Sequence, residues 1–274
     1  MPKLTVVVPA FNEPPDIIRE SIRSVISQTF TDFECILVDE STNQELAIAT
    51  KQICDGDNRF RYIHPDKRIG LAASLNLGIS MSRAPLIARF DSDDICLHDR
   101  LEKQIAFMND HPDIDVVGGG LEIIDDNGRS LAFRSYPIEH DTIVRKLHTT
   151  TPIAHPTVMF RKSLIEKYGG YDTEFRYSED LDLWLRFANN DVRFANLPDV
   201  LVRYRQQQTN RNSLHWEYNL RARNKNLSLK HLPYRLLGLC GIYIWGKLPP
   251  GFQKYVFRNL LLRSQVPSVN ECQL

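Results

Sequence analysis

Apolar residues recur along this chain at two different spacings, and the alternation between them lays out its first half. The run LTVVVP (Leu4 to Pro9) is short and β-branched, so it reads as a first strand; with one lysine before it and a proline ending it, it is not a signal peptide. PPDIIRESIRSVISQ follows with Ile17, Ile18, Ile22, Val25 and Ile26 at helical spacing, and Pro15 with Asp16 suits a helix start. ECILV and RFRYI are further strands, with a helix from about Asn43 to Cys54 between them. GLAASLNLGISMS reads as a helix of small residues, LIARF as a strand and DRLEKQIAFMND as the next helix. Strand and helix taking turns predicts a parallel sheet covered on both faces, and the handedness of crossovers then fixes most of the topology.

After about Gly118 the pattern becomes mixed. DDNG, Asp125 to Gly128, suits a tight turn between two strands, and HPTVMF and VRFANL read as strands around the helix EDLDLWLRFANN. No repeat, low-complexity linker or compositional break separates this part from the first. Residues 1–212 therefore read as one α/β domain with an elaborated second half, and 213–274 as a basic, apolar C-terminal helical region.

Composition adds two points. With 274 residues, 42% hydrophobic and 25% charged, the chain is globular and long enough for one large domain or two small ones. Its five cysteines are scattered and without a C-x-x-C pair, which argues against a disulfide framework or zinc site and fits a reducing compartment. The net charge of zero conceals an asymmetry. Nine basic and no acidic residues lie between Glu217 and Glu271, leaving 25 basic against 34 acidic residues elsewhere, and two kinds of partner are implied. Within the tail, Leu236 to Gly246 is an uncharged stretch of eleven residues, too short for a bilayer, which needs about 20. YVFRNLLLR continues with Arg258 and Arg263 beside bulky apolar residues. Two readings stand: peripheral contact of 218–264 with an anionic cytoplasmic leaflet, or a helical pair packed on the domain. Nucleic acid is not an expected partner.

The candidate chemistry lies in LIARFDSDDIC, where Asp91, Asp93 and Asp94 crowd together after an apolar run. PAFNE, DES and DSDD each follow the end of a strand. Open α/β sheets bind ligands there, so Asp39, Asp91 and Asp93 are expected to converge on one cleft. Hard oxygen donors suit Mg²⁺ or Mn²⁺. Such an ion would neutralise a diphosphate where the chain has neither a G-x-G-x-x-G nor a G-x-x-x-x-G-K-[ST] loop. Taken alone, a D-x-D-D cluster is more often a solvated turn, with Asp94 or Asp99 capping the next helix.

In order along the chain, VVVPAFNE, SVISQTFTDFECILVDES, RIGLAASLNLGI, ARFDSDD, HPTVMFRKSLIEKYGGYD and SEDLDLWLRFA resemble the family 2 glycosyltransferases of GT-A fold, over roughly Leu4 to Arg205. Each piece alone is weak; six in order are highly specific. The resemblance implies a Rossmann-like, mostly parallel central sheet flanked by helices, with a nucleotide-binding half at about 1–118 and an acceptor half at about 119–212. It implies that Pro9, Phe11 and Glu13 line the nucleotide pocket, that Asp39 accepts a hydrogen bond from uracil, and that Arg68 approaches the base or diphosphate. Asp91 would lie near the ribose or metal, and Asp93 would be the principal ligand of Mn²⁺ or Mg²⁺. Asp180 would be the general base, with Glu179 beside it at the start of a helix. Phe11 stands where tyrosine is common and Glu40 where a second aspartate is common.

The implied reaction moves a sugar from a nucleotide-sugar, a UDP-sugar by resemblance, to a hydroxyl of a glycan with inversion. The acceptor would be a lipid-diphosphate-linked oligosaccharide of a bacterial surface polysaccharide, which places the protein in the cytoplasm at the inner face of the membrane. A sugar nucleotidyltransferase would need a glycine-rich basic loop that PAFNEPPD does not supply, and a silent nucleotide-sugar-binding protein would not need Asp39, Asp91, Asp93 and Asp180. Other residues read first as structural. Asn76 and Gly78 suit helix packing, Trp184 suits the core, Arg161, Arg203 and Arg205 suit surface or structural charges, and Ser178 suits an N-cap. His155, before Pro156, is either a strand-end residue held by a hydrogen bond or a group facing the substrate.

Overall fold

A computed structural model of the chain describes residues 1–206 and 213–256. Four strands, β1 (Leu4–Ala10), β2 (Phe33–Asp39), β3 (Phe60–Ile63) and β4 (Leu86–Arg89), lie parallel in the order β3-β2-β1-β4. The crossovers between them are α1 (Pro15–Ile26), α2 (Gln44–Cys54) and α3 (Leu71–Ser80). The sheet continues from β4 through β8 (Met159–Arg161), β6 (Val116–Ile124), β9 (Phe194–Arg205) and the short β5 (Ile95–Cys96). In this half β4·β8, β6·β8 and β5·β9 are antiparallel and β6·β9 is parallel. β7 (Ser130–Arg134) pairs antiparallel with β6 through the expected turn, where Gly128 takes φ +76° and donates its N–H to Asp125 O. The mostly parallel sheet with a mixed second half is thus present.

The strands alternate faces as their period of two requires. Leu4, Val6 and Val8 point into one core with Ile18, Ile22 and Val25 of α1 and with Leu101, Ile105 and Met108 of α4 (Arg100–Asp110). Val7, Ile87 and Phe160 point into the other with α3, α5 (His140–Leu147) and α7 (Glu179–Asn189). Gly78 lets α3 come close to β1, since a Cβ there would lie 2.5 Å from Val7 Cγ1. Trp184 is fully buried in the second core.

Two boundaries differ from the sequence reading. HPTVMF begins as a 3₁₀ turn over His155–Thr157, because Pro156 has no N–H to give a ladder, and β8 starts only at Met159. VRFANL does not stop at Pro198. β9 runs on to Arg205, and the register of β6 against it shifts around Gly120, where the partner strand absorbs the irregularity.

The C-terminal helices are α8 (Ser213–Lys225), α9 (Leu232–Lys247) and α10 (Pro250–Val256), which follow the short α6 (Ser163–Tyr168) and α7 in chain order. α8 lies against α7, where the buried Asp182 accepts from Asn226 Nδ2 at 2.9 Å and pairs with Lys225 and Arg186. α9 packs on α8 and touches the rest of the domain at Gly238, where a Cβ would come within 1.6 Å of His148 O. The opposite face of α9 remains exposed, with Leu236, Leu237, Tyr243 and Ile244 all about half exposed or more. α9 thus packs on the domain as a helical pair with α8, as one reading expected, and its other face is exposed, while Arg258 and Arg263 lie outside the described residues. Cys35, Cys54, Cys96 and Cys240 are free thiols.

Candidate active site

An open cleft of about 550 Å³ lies at the carboxyl ends of β1, β2 and β4. Pro9, Ala10, Phe11 and Glu13 form the wall after β1, Arg68, Gly70 and Leu71 the wall before α3, and Asp91 to Asp93 the floor after β4. The Arg68 guanidinium lies over the exposed Phe11 ring at 3.9 Å, so the rim offers a flat cationic and aromatic surface. Glu40 anchors the second wall. Its Oε2 accepts from Ile69 N and Gly70 N, each at 2.8 Å, and its Oε1 accepts from Ser74 Oγ. A side chain one methylene longer than aspartate thus holds the loop before α3, in which Gly70 takes φ +89°.

The acidic residues separate into three environments. Asp91 and Asp93 reach the cleft with Glu13, whose Oε1 accepts from Ser92 Oγ at 3.3 Å. Asp94 is fully buried; its Oδ1 accepts from Arg205 N at 2.8 Å, and burial together with Asp91 and Asp93 pushes its pKa well above the usual range. Its Oδ2 is buried without a partner among the described residues. Neither Asp94 nor Asp99 caps α4 through its side chain. Asp39 lies behind the cleft wall and is fully buried, its Oδ1 accepting from Ser41 N and Oγ and its Oδ2 from Tyr62 Oη at 2.9 Å. The DSDD loop is braced from below by the buried Arg205, which donates to Asp93 O at 3.0 Å and pairs with Glu20 at 2.8 Å.

Asp91 and Asp93 are hard oxygen donors. Among the described residues no three His, Cys, Asp or Glu side chains converge to cage a metal. Such a donor set fits an ion that keeps positions for water and phosphate oxygens. The charge crowding is visible at Glu13, whose pKa rises to about 7 through burial first, then Asp93, with Asp91 and Asp39 adding. A carboxyl that holds its proton more tightly when folded contributes stability that is complete below its unfolded value of 4.5 and lost as pH rises through about 7. Metal-free protein is therefore expected to lose stability across that interval. Glu13→Gln should flatten the slope in denaturant melts at stepped pH; an unchanged slope would show that Glu13 does not feel the cluster.

Glu179 and Asp180 open α7 outside the cleft wall. Ser178 does not cap this helix: its backbone is left-handed at φ +61° and its side chain makes no capping bond. That conformation turns the chain so that Glu179 is buried and Asp180 half-buried. Burial, then the neighbouring Asp180, raises Glu179 to about 8, so it carries a proton at neutral pH. Arg89 links this pair to the cleft. Its buried guanidinium pairs with Asp91, and its charge also acts on Glu179, Tyr171 and His155. His155 Nε2 bonds Tyr171 Oη at 2.9 Å, and Asn76 grips Tyr171 by both its N–H and C=O at 2.8 and 2.7 Å. His155 is thus held by a hydrogen bond, and burial with Arg89 keeps it neutral. Arg161 donates to main-chain carbonyls and Arg203 pairs with Glu122, both structural contacts.

Arg89 and Tyr171 are components of the candidate site that the sequence did not single out, and Glu40 was noted only as a departure from the family pattern. Arg89 left a signal, a charge within the otherwise apolar LIAR strand; Tyr171 left none, since its partners lie far off in sequence.

Comparison with known proteins identifies the family and the fold. The sequence model described as Glycosyl transferase family 2 matches residues 5–169. The chain is 38% identical over 188 residues to the O-antigen biosynthesis glycosyltransferase WbnJ of Escherichia coli, covering 68% of this chain and 72% of that one. It is 32% identical over 210 residues to the amylovoran biosynthesis glycosyltransferase AmsE of Erwinia amylovora, covering 73% and 75%. Among solved structures, S. aureus TarS 1-349 in complex with UDP-GlcNAc superposes with a TM-score of 0.68 at 20% identity, over 96% of this chain and 77% of that one. The mannosyltransferase PcManGT of Pyrobaculum calidifontis, in complex with GDP-Man and Mn²⁺, gives 0.66 at 17% identity over 96% and 82%. The fold is that of the GT-A glycosyltransferases, and the chain belongs to glycosyl transferase family 2.

Proposed function

We propose that this chain is an inverting, metal-dependent hexosyltransferase. It moves a sugar from a UDP-sugar to a hydroxyl of a glycan borne on a lipid diphosphate, during assembly of a bacterial surface polysaccharide. The observation that carries the reading is the cleft, in which the Arg68–Phe11 stack and the carboxylates of Glu13, Asp91 and Asp93 stand together at the strand ends. The planar base lies against Arg68 and Phe11 beside Pro9. For Asp39 to accept from the ring, Ser41 has to release it. Asp93 with Asp91 would hold Mn²⁺ or Mg²⁺, whose positive charge would offset that of the departing diphosphate. Arg89 fixes Asp91, and Asp180 takes the proton of the acceptor hydroxyl as its oxygen attacks the anomeric carbon and the bond to the diphosphate breaks.

The relatives support the donor and acceptor classes. TarS and PcManGT were solved with UDP-GlcNAc and with GDP-Man and Mn²⁺, and another relative, 29% identical over 206 residues, is an Escherichia coli galactosyltransferase named for a UDP-Gal donor and a GlcNAc-diphosphoundecaprenol acceptor. The test is release of nucleotide from UDP-sugars and GDP-Man with Mn²⁺, with and without a lipid-diphosphate-linked acceptor. No release from any donor would overturn the reading in favour of a binding protein.

An acceptor on a lipid places the enzyme at the inner membrane face. No helix among the described residues is long and apolar enough to cross a membrane. The exposed face of α9 and α10, with Leu237, Ile244, Phe252 and Tyr255, supports a peripheral contact. Truncation of the tail would also bare the surface under Arg235 and Gly238, so Leu237→Ser with Ile244→Ser is the cleaner variant. It should weaken sedimentation with anionic vesicles roughly 10-fold or more while leaving nucleotide binding intact; equal sedimentation would count against the contact.

A further inference from the structure

A second, small polar cavity lies away from the cleft, where the C-terminal helices meet α5 and α7, and it is lined by His148, Leu185, Arg223 and Arg235. Both arginines are 5% exposed. Arg223 donates to Asn219 Oδ1, Leu147 O and Thr150 O, and Arg235 to Lys230 O, Asn226 O and Asn189 Oδ1. Every one of these acceptors is neutral. Arg89 and Arg205, equally buried, each meet a carboxylate, whereas the fully buried Arg100 also donates only to neutral acceptors but lies in a different part of the fold. His148, 2% exposed, has its Nε2 buried without a partner, and the His231 ring stands 5.6 Å from its own. Two buried cations that line one cavity, with no carboxylate partner among the described residues, are disfavoured, and a bridging water would satisfy hydrogen bonds without cancelling charge. The cavity is small, suited to a single water or a single monatomic ion.

We propose that this cavity is a halide site, in which a chloride ion accepts from the remaining N–H groups of Arg223 and Arg235 and from His148 Nε2–H, and so fastens α8 and α9 to the catalytic body. Burial, then Arg235, His231 and Arg223, pushes His148 down to about 3, so its imidazole is neutral and can place its proton on Nε2. The close approach of Gly238 to His148 O leaves α9 covering the cavity.

The test uses the full chain. Thermal unfolding is compared in sodium chloride and sodium gluconate at equal ionic strength, and crystals grown in bromide at the same concentration are examined by anomalous scattering. The expected result is a saturable rise in Tm of roughly 2–4 °C specific to halide, with bromide density between His148, Arg223 and Arg235. His148→Phe, which removes the donor and fills the space, should abolish the rise. Equal Tm values with no bromide density would overturn the proposal in favour of a bridging water. Density without a Tm difference would show an adventitious ion only, and a rise retained by His148→Phe would place the halide elsewhere; both also overturn it.

Discussion

Asp93→Asn is expected to leave the fold intact and to reduce metal-dependent transfer by about 10³-fold or more, because it removes an anionic oxygen that would hold the metal whose charge offsets that of the leaving diphosphate. The loop should keep its shape. Arg205 holds Asp93 through its main-chain carbonyl, and Asp94 accepts from Arg205 N, so neither contact uses the substituted carboxylate. UDP binding should weaken strongly in Mn²⁺ and little in chelator, which separates loss of the metal from loss of the pocket. A second readout needs no turnover. Asp93 is the largest charge raising Glu13, so Glu13 should titrate lower in the variant and the loss of stability between 4.5 and about 7 should shrink. Undiminished transfer would remove Asp93 from the site.

The features the sequence made plain are those decided by neighbours a few residues apart. The period of α1 and the β-branched run of β1 set their elements directly, and α2, expected from about Asn43, is Gln44–Cys54 with Asn43 accepting from Glu45 N and Leu46 N as its cap. The candidate acids could be found because the carboxyl ends of parallel strands lie at one edge of the sheet, whatever the loops do. The two halves of the fold differ in this respect: β9 passes through Pro198 only because β6 changes register beside it, a partnership between segments far apart in the chain.

The state of each acid was hidden for the same reason. Asp91, Asp93 and Asp94 look alike in DSDD, yet Asp94 alone is a fully buried support, accepting from the main-chain N–H of Arg205 far along the chain, while burial with Asp91 and Asp93 raises its pKa. Asp39 was expected in the cleft and is enclosed by Ser41 and by Tyr62 of the next strand. Ser178 has the composition of a cap and the backbone of a left-handed turn, a choice set by the packing of α7 rather than by local propensity. The tail shows the limit most clearly, since which face of α9 is covered depends on Gly238 meeting His148, far away in sequence.

Asp180→Asn is expected to lower kcat by about 10²–10⁴-fold, the usual contribution of general base catalysis, with little change in affinity for UDP and metal. The structure gives a reason to prefer Asp180 over its neighbour. Glu179 is buried and raised to about 8, so near neutral pH it holds its own proton and cannot remove another. Glu179→Gln replaces one neutral group by another and should be the milder change. In Asp180→Asn the neighbouring charge that helps raise Glu179 is gone, so Glu179 should titrate at lower pH. If the residual activity of this variant climbs as pH passes through that lowered value, Glu179 has become a substitute base. The reverse ranking of the two variants at neutral pH would transfer the assignment to Glu179. Product stereochemistry supplies an independent check, since a single displacement with Asp180 as base must invert the anomeric carbon. An α-linked product from an α-linked donor would exclude this mechanism whatever the variants do.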